Sequence, residues 1–219
     1  MGNGMRLLVV GGTGTIGVEV VRLLETRHDV VVASRTSAVR VDIRDIALID
    51  QLISTVGPID GLISCAGSTK FGTLDELSTE DIAESLANKL IGQIALARAS
   101  VPAIRDRGVI VLSSGLLSVS PIIGSTAKSV ANAGVEAFVR AVALELPRGI
   151  RAVAVSPGWV GNPPADPIQD PRPFTSARQV ALAYLEAIEG TMTGVTIPIG
   201  AVHPSAQKIG ARRIAPPHA

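Results

Sequence analysis

Residues 5–27 read MRLLVVGGTGTIGVEVVRLLETR, and the order of textures in this stretch decides the fold. The apolar run MRLLVV (5–10) is strand-like. TIGVEVVRLLETR (15–27) repeats its apolar residues at helical spacing, with Gly17 tolerated near the start. Between them lies a G-x-G-x-x-G pattern, Gly12-Thr13-Gly14-Thr15-Ile16-Gly17, preceded by Gly11. Glycine turns are common, so the pattern gains specificity only from its setting, after a strand and at the opening of a helix. There the glycines let backbone N–H groups approach a pyrophosphate, and the helix N-terminus favours the negative charge. Gly11, Gly12, Thr13, Gly14, Thr15, Ile16 and Gly17 are therefore the expected phosphate loop of a dinucleotide site.

Outward from this unit, strand-like and helix-like stretches alternate. DVVVAS (29–34) and RVDI (40–43) read as the second and third strands, and DGLISCAG (60–67) as the fourth with a turn after it. GVIVLSS (108–114), IRAVAVSPG (150–158) and GVTIPIG (194–200) complete the set. Helical patterns fall at 46–57, ended by Gly57-Pro58, and at 78–104, where Ser78 and Asp81 resemble a capping box. Two more lie at 125–146 and 176–190. This alternation predicts right-handed crossovers and an α/β architecture: a Rossmann-like doubly wound parallel sheet of about seven strands flanked by helices. Residues 1–201 form the expected single domain. The segment 159–175, rich in proline, reads as a substrate lid, and 202–219 as a disordered tail.

Composition bounds the function. Hydrophobic residues make up 47% of the 219 but aromatics only 2%, so Ala, Val, Ile and Leu must fill the core, as in a sheet buried on both faces. Lys plus Arg total 20 against 19 Asp plus Glu, which gives no reason to expect nucleic acid or a membrane as partner. Cys65 is the single cysteine, so no intrachain disulfide forms and a reducing compartment fits. No apolar run reaches the roughly 18 residues of a membrane span, and the N-terminal stretch lacks a signal-peptide pattern, so a soluble cytoplasmic protein is expected. His28, His203 and His218 lack ligand spacing, so no metal site is expected.

The end of the second strand bears on which dinucleotide is bound. An NAD site usually places Asp or Glu there to accept from the ribose 2′-hydroxyl. This chain has Ser34, Arg35 and Thr36 and no acid. Arg35 either pairs with a 2′-phosphate or is an ordinary solvated arginine; NADP(H) is the expected cofactor in preference to NAD(H). Asp42 and Ile43 are expected at the adenine edge.

Over residues 5–200 the chain resembles the short-chain dehydrogenase/reductases. The resemblance rests on the glycine loop at 11–17, Asp42-Ile43, and CAG at 65–67 in place of the family's Asn-Ala-Gly. VLSS at 111–114, AVALEL at 141–146 and IRAVAVSPGWV at 150–160 extend it. It implies a nicotinamide cofactor along the C-terminal edge of the sheet, touched by Cys65, Ala66 and Gly67 and by Pro157, Gly158, Trp159 and Val160, with substrate above. It also implies a Tyr-x-x-x-Lys pair in which the phenol moves the proton while the lysine lowers its pKa and holds the nicotinamide ribose. Here Lys128 stands at the tyrosine position and Asn132 at the lysine position, four residues apart and on one helical face. The chain's only tyrosine, Tyr184, lies on another helix and reads as packing. The family's asparagine, three residues before a glycine, aligns with Lys89 ahead of Gly92, beside Asn88. Its serine survives as Ser114, or Ser113.

The chain has four lysines against sixteen arginines; two occupy these positions, and Lys70 falls in a loop near the expected pocket. Three readings stay open at this point. Lys128 or Lys89 replaces the phenol as proton donor in an NADPH-dependent reduction, with Ser114 hydrogen-bonding the developing alkoxide. Alternatively the cofactor is bound without redox turnover, in an isomerase, a cyclase or a nucleotide sensor. In the third reading the lysines are solvated remnants of a dead site. Cys65 reads as a small packing residue, and Trp159 and Phe174 either cover a substrate or anchor their loop. By resemblance, a homodimer or homotetramer forms through helices 78–104 and 125–146.

Overall fold

The first strand's residues alternate between two buried layers, and the whole molecule is organised around that alternation. A computed structural model of the chain describes residues 4–161 and 174–200. Strand β1 (Arg6–Val10) sends Leu8 and Val10 to one face and Leu7 and Val9 to the other, and all four are at most 1% exposed. It pairs in parallel with β2 (Asp29–Ser34) on one side and β4 (Ile59–Ser64) on the other. The sheet grows outward through β3 (Val39–Arg40) at one edge and through β5 (Ile104–Ser113), β6 (Arg151–Pro157) and β9 (Val195–Ile199) toward the other. The order is β3-β2-β1-β4-β5-β6-β9, and every neighbour is parallel. A two-residue parallel ribbon of β7 (Trp159–Val160) and β8 (Phe174–Thr175) lies apart.

Helices cover both faces. Helices α2 (Ile46–Val56), α4 (Gly92–Ser100) and α5 (Thr126–Val142) bury Ile49, Leu52, Leu96, Val135 and Val139 against the Leu8 face. Helices α1 (Thr15–Leu24) and α6 (Ala177–Glu189) bury Val20, Leu24, Val180 and Ile188 against the Leu7 face. Removing a buried Leu or Ile side chain from water stabilises by about 1.5–3 kcal/mol, which is why these strands are apolar on both faces rather than alternating with polar residues. The architecture is the Rossmann-like α/β domain read from the sequence. The chain turns back between β1 and β4, and the crevice at such a reversal is where α/β sheets hold ligands. Among the described residues, no helix is long and apolar enough to cross a membrane.

Three elements differ from the expectation. The third strand, read at 40–43, is only Val39–Arg40. Past it the Asp42 carboxylate accepts from the Arg44 amide and Asp45 caps α2 through Ala47 and Leu48, so side-chain acceptors take the chain out of the ladder. The helix read at 78–104 is not continuous: α3 (Thr79–Leu86) passes through a π turn (Ala87–Ile91) into α4, where the Gly92 amide donates to the Ala87 carbonyl five residues back. A Cβ at Gly92 would lie 2.8 Å from the Ile43 carbonyl oxygen, so this turn presses directly on the loop beyond β3. The fifth strand begins at Ile104 rather than 108, with Arg105, Asp106 and Arg107 exposed. The lid expected at 159–175 lies largely outside the described residues, as does the tail at 202–219.

Candidate active site

Two cavities run along the C-terminal edge of the sheet and meet at Gly67 and Ser68. The outer one, about 230 Å³, opens over the ends of β1, β2 and β4. Of the residues predicted to hold a dinucleotide, Gly11, Thr13, Gly14, Ser34, Arg35, Thr36, Asp42, Ile43, Cys65, Ala66 and Gly67 line it. Gly12, Thr15 and Gly17 do not. Gly12 and Gly17 are buried beneath the turn, where a Cβ would lie 2.7 Å from Val32 Cγ1 and 2.1 Å from the Gly11 carbonyl oxygen respectively, so they permit the turn rather than touch a ligand. Gly11 takes a φ of 82°, and Thr15 is exposed on the first turn of α1.

The N-terminus of α1 differs from those of α2, α3 and α6. Those three are capped by the side chains of Asp45, Ser78 and Ser176, the last two as full capping boxes. The N-cap of α1 is Gly14, which supplies no side-chain acceptor, so the amides of the first turn have none from the cap. An anion is the natural complement of such an end when a cavity opens in front of it. Alongside, Ser34 Oγ accepts from the Thr36 and Ser37 amides and shapes the bend that sets Arg35, exposed, on the rim. The Arg44 guanidinium grips Asp42 at 2.7 Å and holds its carboxyl at about 2.

The inner cavity, about 420 Å³, is lined by Lys89, Ser114, Lys128 and Asn132, the four residues predicted for chemistry, together with Ile16, Gly67, Pro157, Gly158, Trp159 and Val160 from the predicted cofactor set. Leu116, Leu117, Ser120, Thr69, Ser68 and Gly115 complete the wall. Lys89 arrives on the π turn. Gln93, one turn on, is clamped to β5 by a bond from its Nε2 to the Ser113 carbonyl and one from the Ser113 amide to its Oε1, both 2.9 Å. The Lys89 stem passes against Gly67, and its Nζ donates to the Ser114 carbonyl at 3.3 Å. Burial, with the charge of Lys128 adding to it, pushes the Lys89 ammonium down to about 8. Lys128, half-buried, is lowered by burial as well; its Nζ lies 5.8 Å from the centroid of Phe71 and 6.0 Å from that of Trp159. Asn132 is 2% exposed, and its Nδ2 donates to the Gly115 carbonyl at 3.2 Å.

The serine ambiguity has a geometric answer. Neighbouring strand residues face opposite ways, so Ser113 points through the sheet to the Tyr184 hydroxyl while Ser114 lines the inner cavity. Tyr184 is fully buried on the far face, and its hydroxyl also lies 3.4 Å from the Ser64 carbonyl, so it is a core residue remote from the cavity. The expected use of Ser114 as a donor into the cavity meets a different geometry. Its single hydroxyl proton points inward, to Glu136 Oε1 at 2.7 Å with the Asn132 carbonyl at 3.1 Å. Ser118 and Ser156 donate to the same Glu136 oxygen at 2.7 and 3.0 Å.

Lys70 follows Thr69 of the inner wall in the chain. It lines neither cavity and instead bridges Asp81 and Glu84 on the surface, where the two carboxylates raise its pKa. Burial pushes the Cys65 thiol up to about 12, which leaves it inert as a nucleophile. Among the described residues no cluster of His, Cys, Asp and Glu could hold a metal. Sequence reasoning missed Glu136 and Phe71. The signal for Glu136 was a carboxylate one helical turn beyond Asn132, hence on the buried face of the same helix.

The sequence model of the family described as enoyl-(acyl carrier protein) reductase matches residues 17–189. A short-chain type dehydrogenase/reductase, y4vI, of Sinorhizobium fredii is 28% identical over 159 residues, 72% of this chain and 28% of its own length. The chain spans about half or less of the length of this relative, of an oxidoreductase of Schizosaccharomyces pombe and of a 3-oxoacyl-(acyl-carrier-protein) reductase of Rattus norvegicus. Solved structures are covered more fully. The protein lin1944 of Listeria innocua superposes with a TM-score of 0.83 at 32% identity over 90% of this chain and 100% of that one. A small-chain dehydrogenase solved in complex with NADPH gives 0.81 at 28% identity, covering 90% and 97%.

Proposed function

The chain belongs to the short-chain dehydrogenase/reductase family, whose members bind a nicotinamide cofactor, and from that premise we propose that it is an NADP(H)-dependent oxidoreductase that interconverts a carbonyl and an alcohol on a small molecule. One observation carries the reading: the outer cavity, fronted by an α1 N-terminus without a side-chain cap, runs directly into an inner cavity that holds two lysines. The residues present fit a dinucleotide. The α1 amides and the glycine turn would receive the diphosphate, and Ser34, Thr36 and Arg35 the adenosine ribose. Arg35 at the rim, with no acid beside it on β2, favours a phosphorylated ribose, and the small-chain dehydrogenase above was solved with NADPH. Pro157, Gly158, Trp159 and Val160 would flank the nicotinamide half.

Bound there, a reduced nicotinamide supplies the hydride. The chain's own task is the proton. Ser114 spends its hydroxyl proton on Glu136, which leaves the ammonium groups of Lys89 and Lys128 as the acidic donors of the inner cavity. Lys89, at about 8, is the better matched of the two, because an acid close to the working pH both gives up its proton and recovers it readily. Lys128 keeps its partner's pKa down, its own ammonium lying 5.8 Å from the ring centroid of Phe71 and 6.0 Å from that of Trp159. The missing phenol also supports a second reading, cofactor binding without hydride transfer, in which the lysines stabilise an enolate in an isomerisation or cyclisation. Calorimetric titration with NADPH, NADP⁺, NADH and NAD⁺, followed by a carbonyl screen at 340 nm, separates these. Absorbance loss with a carbonyl supports the reductase; product formation without it supports the second reading; no heat from any of the four ends both.

A second copy of the chain would pack through the helical stretches within 78–104 (α3, the π turn and α4) and 125–146 (α5). Ile91 and Val130, 54% and 48% exposed, are apolar residues that such a contact would cover. A monomeric mass by light scattering after size-exclusion chromatography would remove this association.

A further inference from the structure

We propose that the substrate is a carboxylate-bearing carbonyl compound, its acid group held in the inner cavity by the ammonium groups of Lys89 and Lys128. This rests on the reading of that cavity as the substrate end of the site. The argument begins with how the chain treats its other cations. On the surface, Lys70 sits between Asp81 and Glu84, Arg44 on Asp42, Arg27 on Glu189 and Arg105 on Asp60. Lys89 and Lys128 are more enclosed than these, yet neither has a carboxylate within ion-pair distance among the described residues. Among the described residues, the cavity wall contains both lysines and no acid. The one carboxylate buried nearby, Glu136, has its Oε1 taken up by three serine hydroxyls and does not line the cavity.

A partly buried ammonium is stable only if its charge finds a partner or its proton is lost. Two of them converging on one chamber repel each other, and an anion entering between them relieves both penalties at once. The ligand chemistry follows from the donors. Lysine binds phosphates as well as carboxylates as a point charge, and what favours the smaller anion is that, among the described residues, no arginine fork lines the chamber to supply the further donors a phosphate takes. Two compact ammonium groups suit a carboxylate as point charges. Ile16, Leu116, Leu117, Trp159 and Val160 provide apolar wall for a short alkyl body. A short 2-oxo or 3-oxo acid satisfies every wall, and its reduction would balance: a bound reduced nicotinamide would supply the hydride for the carbonyl carbon, a lysine ammonium would give the proton to the oxygen, and solvent would re-protonate the amine.

Trp159 is the chain's single tryptophan and lines this cavity, so its fluorescence reports occupancy without any turnover. The probes are acetoacetate and 2-oxobutyrate, each against its methyl ester, titrated into the full chain with and without NADP⁺. Saturable quenching by the acids, at least about tenfold tighter than by the esters, is the expected result, with Lys89→Met and Lys128→Met abolishing that preference and Lys128→Arg retaining it. Circular dichroism confirms that each variant is folded. Esters binding as tightly as acids, no quench by either acid, or an acid preference that survives the double Met variant overturns the proposal. A parallel calorimetric titration with NADP⁺ keeps the two ideas apart. Acid binding without cofactor heat retains the anion site and removes the dehydrogenase reading; cofactor heat without acid preference does the reverse.

Discussion

Replacing Glu136 with alanine tests the hydroxyl cluster behind Ser114, and its cost can be worked from the geometry. Glu136 Oε1 accepts from Ser114, Ser118 and Ser156, of which Ser114 and Ser156 are 4% and 2% exposed. Removing the acceptor leaves these hydroxyls without it, and an unsatisfied buried donor costs about 1–3 kcal/mol. The cost does not scale with three groups. Ser114 has the Asn132 carbonyl at 3.1 Å to turn to, and Ser118 is only half-buried and can reach water. Ser156 bears the loss in full, and the truncated side chain adds a cavity, so the sum is about 2–4 kcal/mol. For a domain of this size that lowers Tm by roughly 4–16 °C. Glu136→Gln keeps an oxygen in place and costs no more than about half as much. Thermal melting by circular dichroism of the two variants beside the parent is the assay. An alanine variant within about 1 kcal/mol of the parent, or a glutamine variant as damaged as the alanine one, refutes the idea that this oxygen organises the serines.

Gly17→Ala would place a Cβ 2.1 Å from the Gly11 carbonyl oxygen and 2.7 Å from Gly12 Cα, both backbone, so it is expected to destabilise by about 3 kcal/mol or more and abolish NADPH binding, read by NADPH fluorescence. Arg35→Ala is expected to weaken NADPH about ten- to hundredfold and leave NADH unchanged by calorimetry, and because Arg35 is exposed the difference shrinks as salt is raised. Lys89, at about 8 against an ordinary 10.5, binds its proton less tightly when folded than when unfolded. Its destabilisation is therefore complete below pH 8 and relieved as pH rises toward 10.5. Urea unfolding should show Lys89→Met more stable than the parent by about 1–3 kcal/mol at pH 7, the gap closing toward pH 10.5; a gap that stays flat with pH counts against a buried ammonium there. Taking the difference between variant and parent matters, because the raised Cys65 thiol pushes stability the opposite way in alkali.

The sheet was legible because its strands are buried on both faces and read as continuous apolar runs: Leu7 to Val10 and Val109 to Leu112 admit no other reading between glycine turns. The glycine loop was legible because its setting follows from local sequence. What periodicity could not show was the break in the helix at 78–104. Apolar spacing runs on through Ala87–Ile91, and the π turn is set by the approach of Gly92 to Ile43 in the loop beyond β3 and by Gln93 reaching Ser113 on β5, both contacts distant in sequence. The same limit governs the side chains. Lys70 and Lys89 are alike in sequence, yet acids at positions 81 and 84 draw the first onto the surface while the turn directs the second inward. Glu136 lay in a run that reads as apolar, and only its three serine partners, 18, 20 and 22 residues away in sequence, make its burial intelligible.

The substitutions at 89, 128 and 132 make physical sense together. A phenol that gives up its proton becomes an anion, and a neighbouring ammonium stabilises it. An ammonium that gives up its proton becomes a neutral amine and needs no such neighbour. On the proposed reading, a third cation at position 132 would only depress Lys89 further and leave it uncharged at neutral pH. Asn132 has a different use: its Nδ2 holds the Gly115 carbonyl and lies 2.8 Å from where a Gly115 Cβ would be, so it pins the turn that leads from Ser114 to Leu116. Decay of an unused site accounts poorly for this arrangement. Loss of function relaxes demands on residues, whereas two ammonium groups facing a chamber with no acid among its described residues impose a continuing electrostatic cost on the folded state. Solvated lysines would escape that cost by reaching outward, as Lys70 does; Lys89 instead runs inward past Gly67 to the Ser114 carbonyl. On the proposed reading, a chain that bears this cost while holding the hydroxyls of Ser114, Ser118 and Ser156 on Glu136 has a chamber built to receive negative charge.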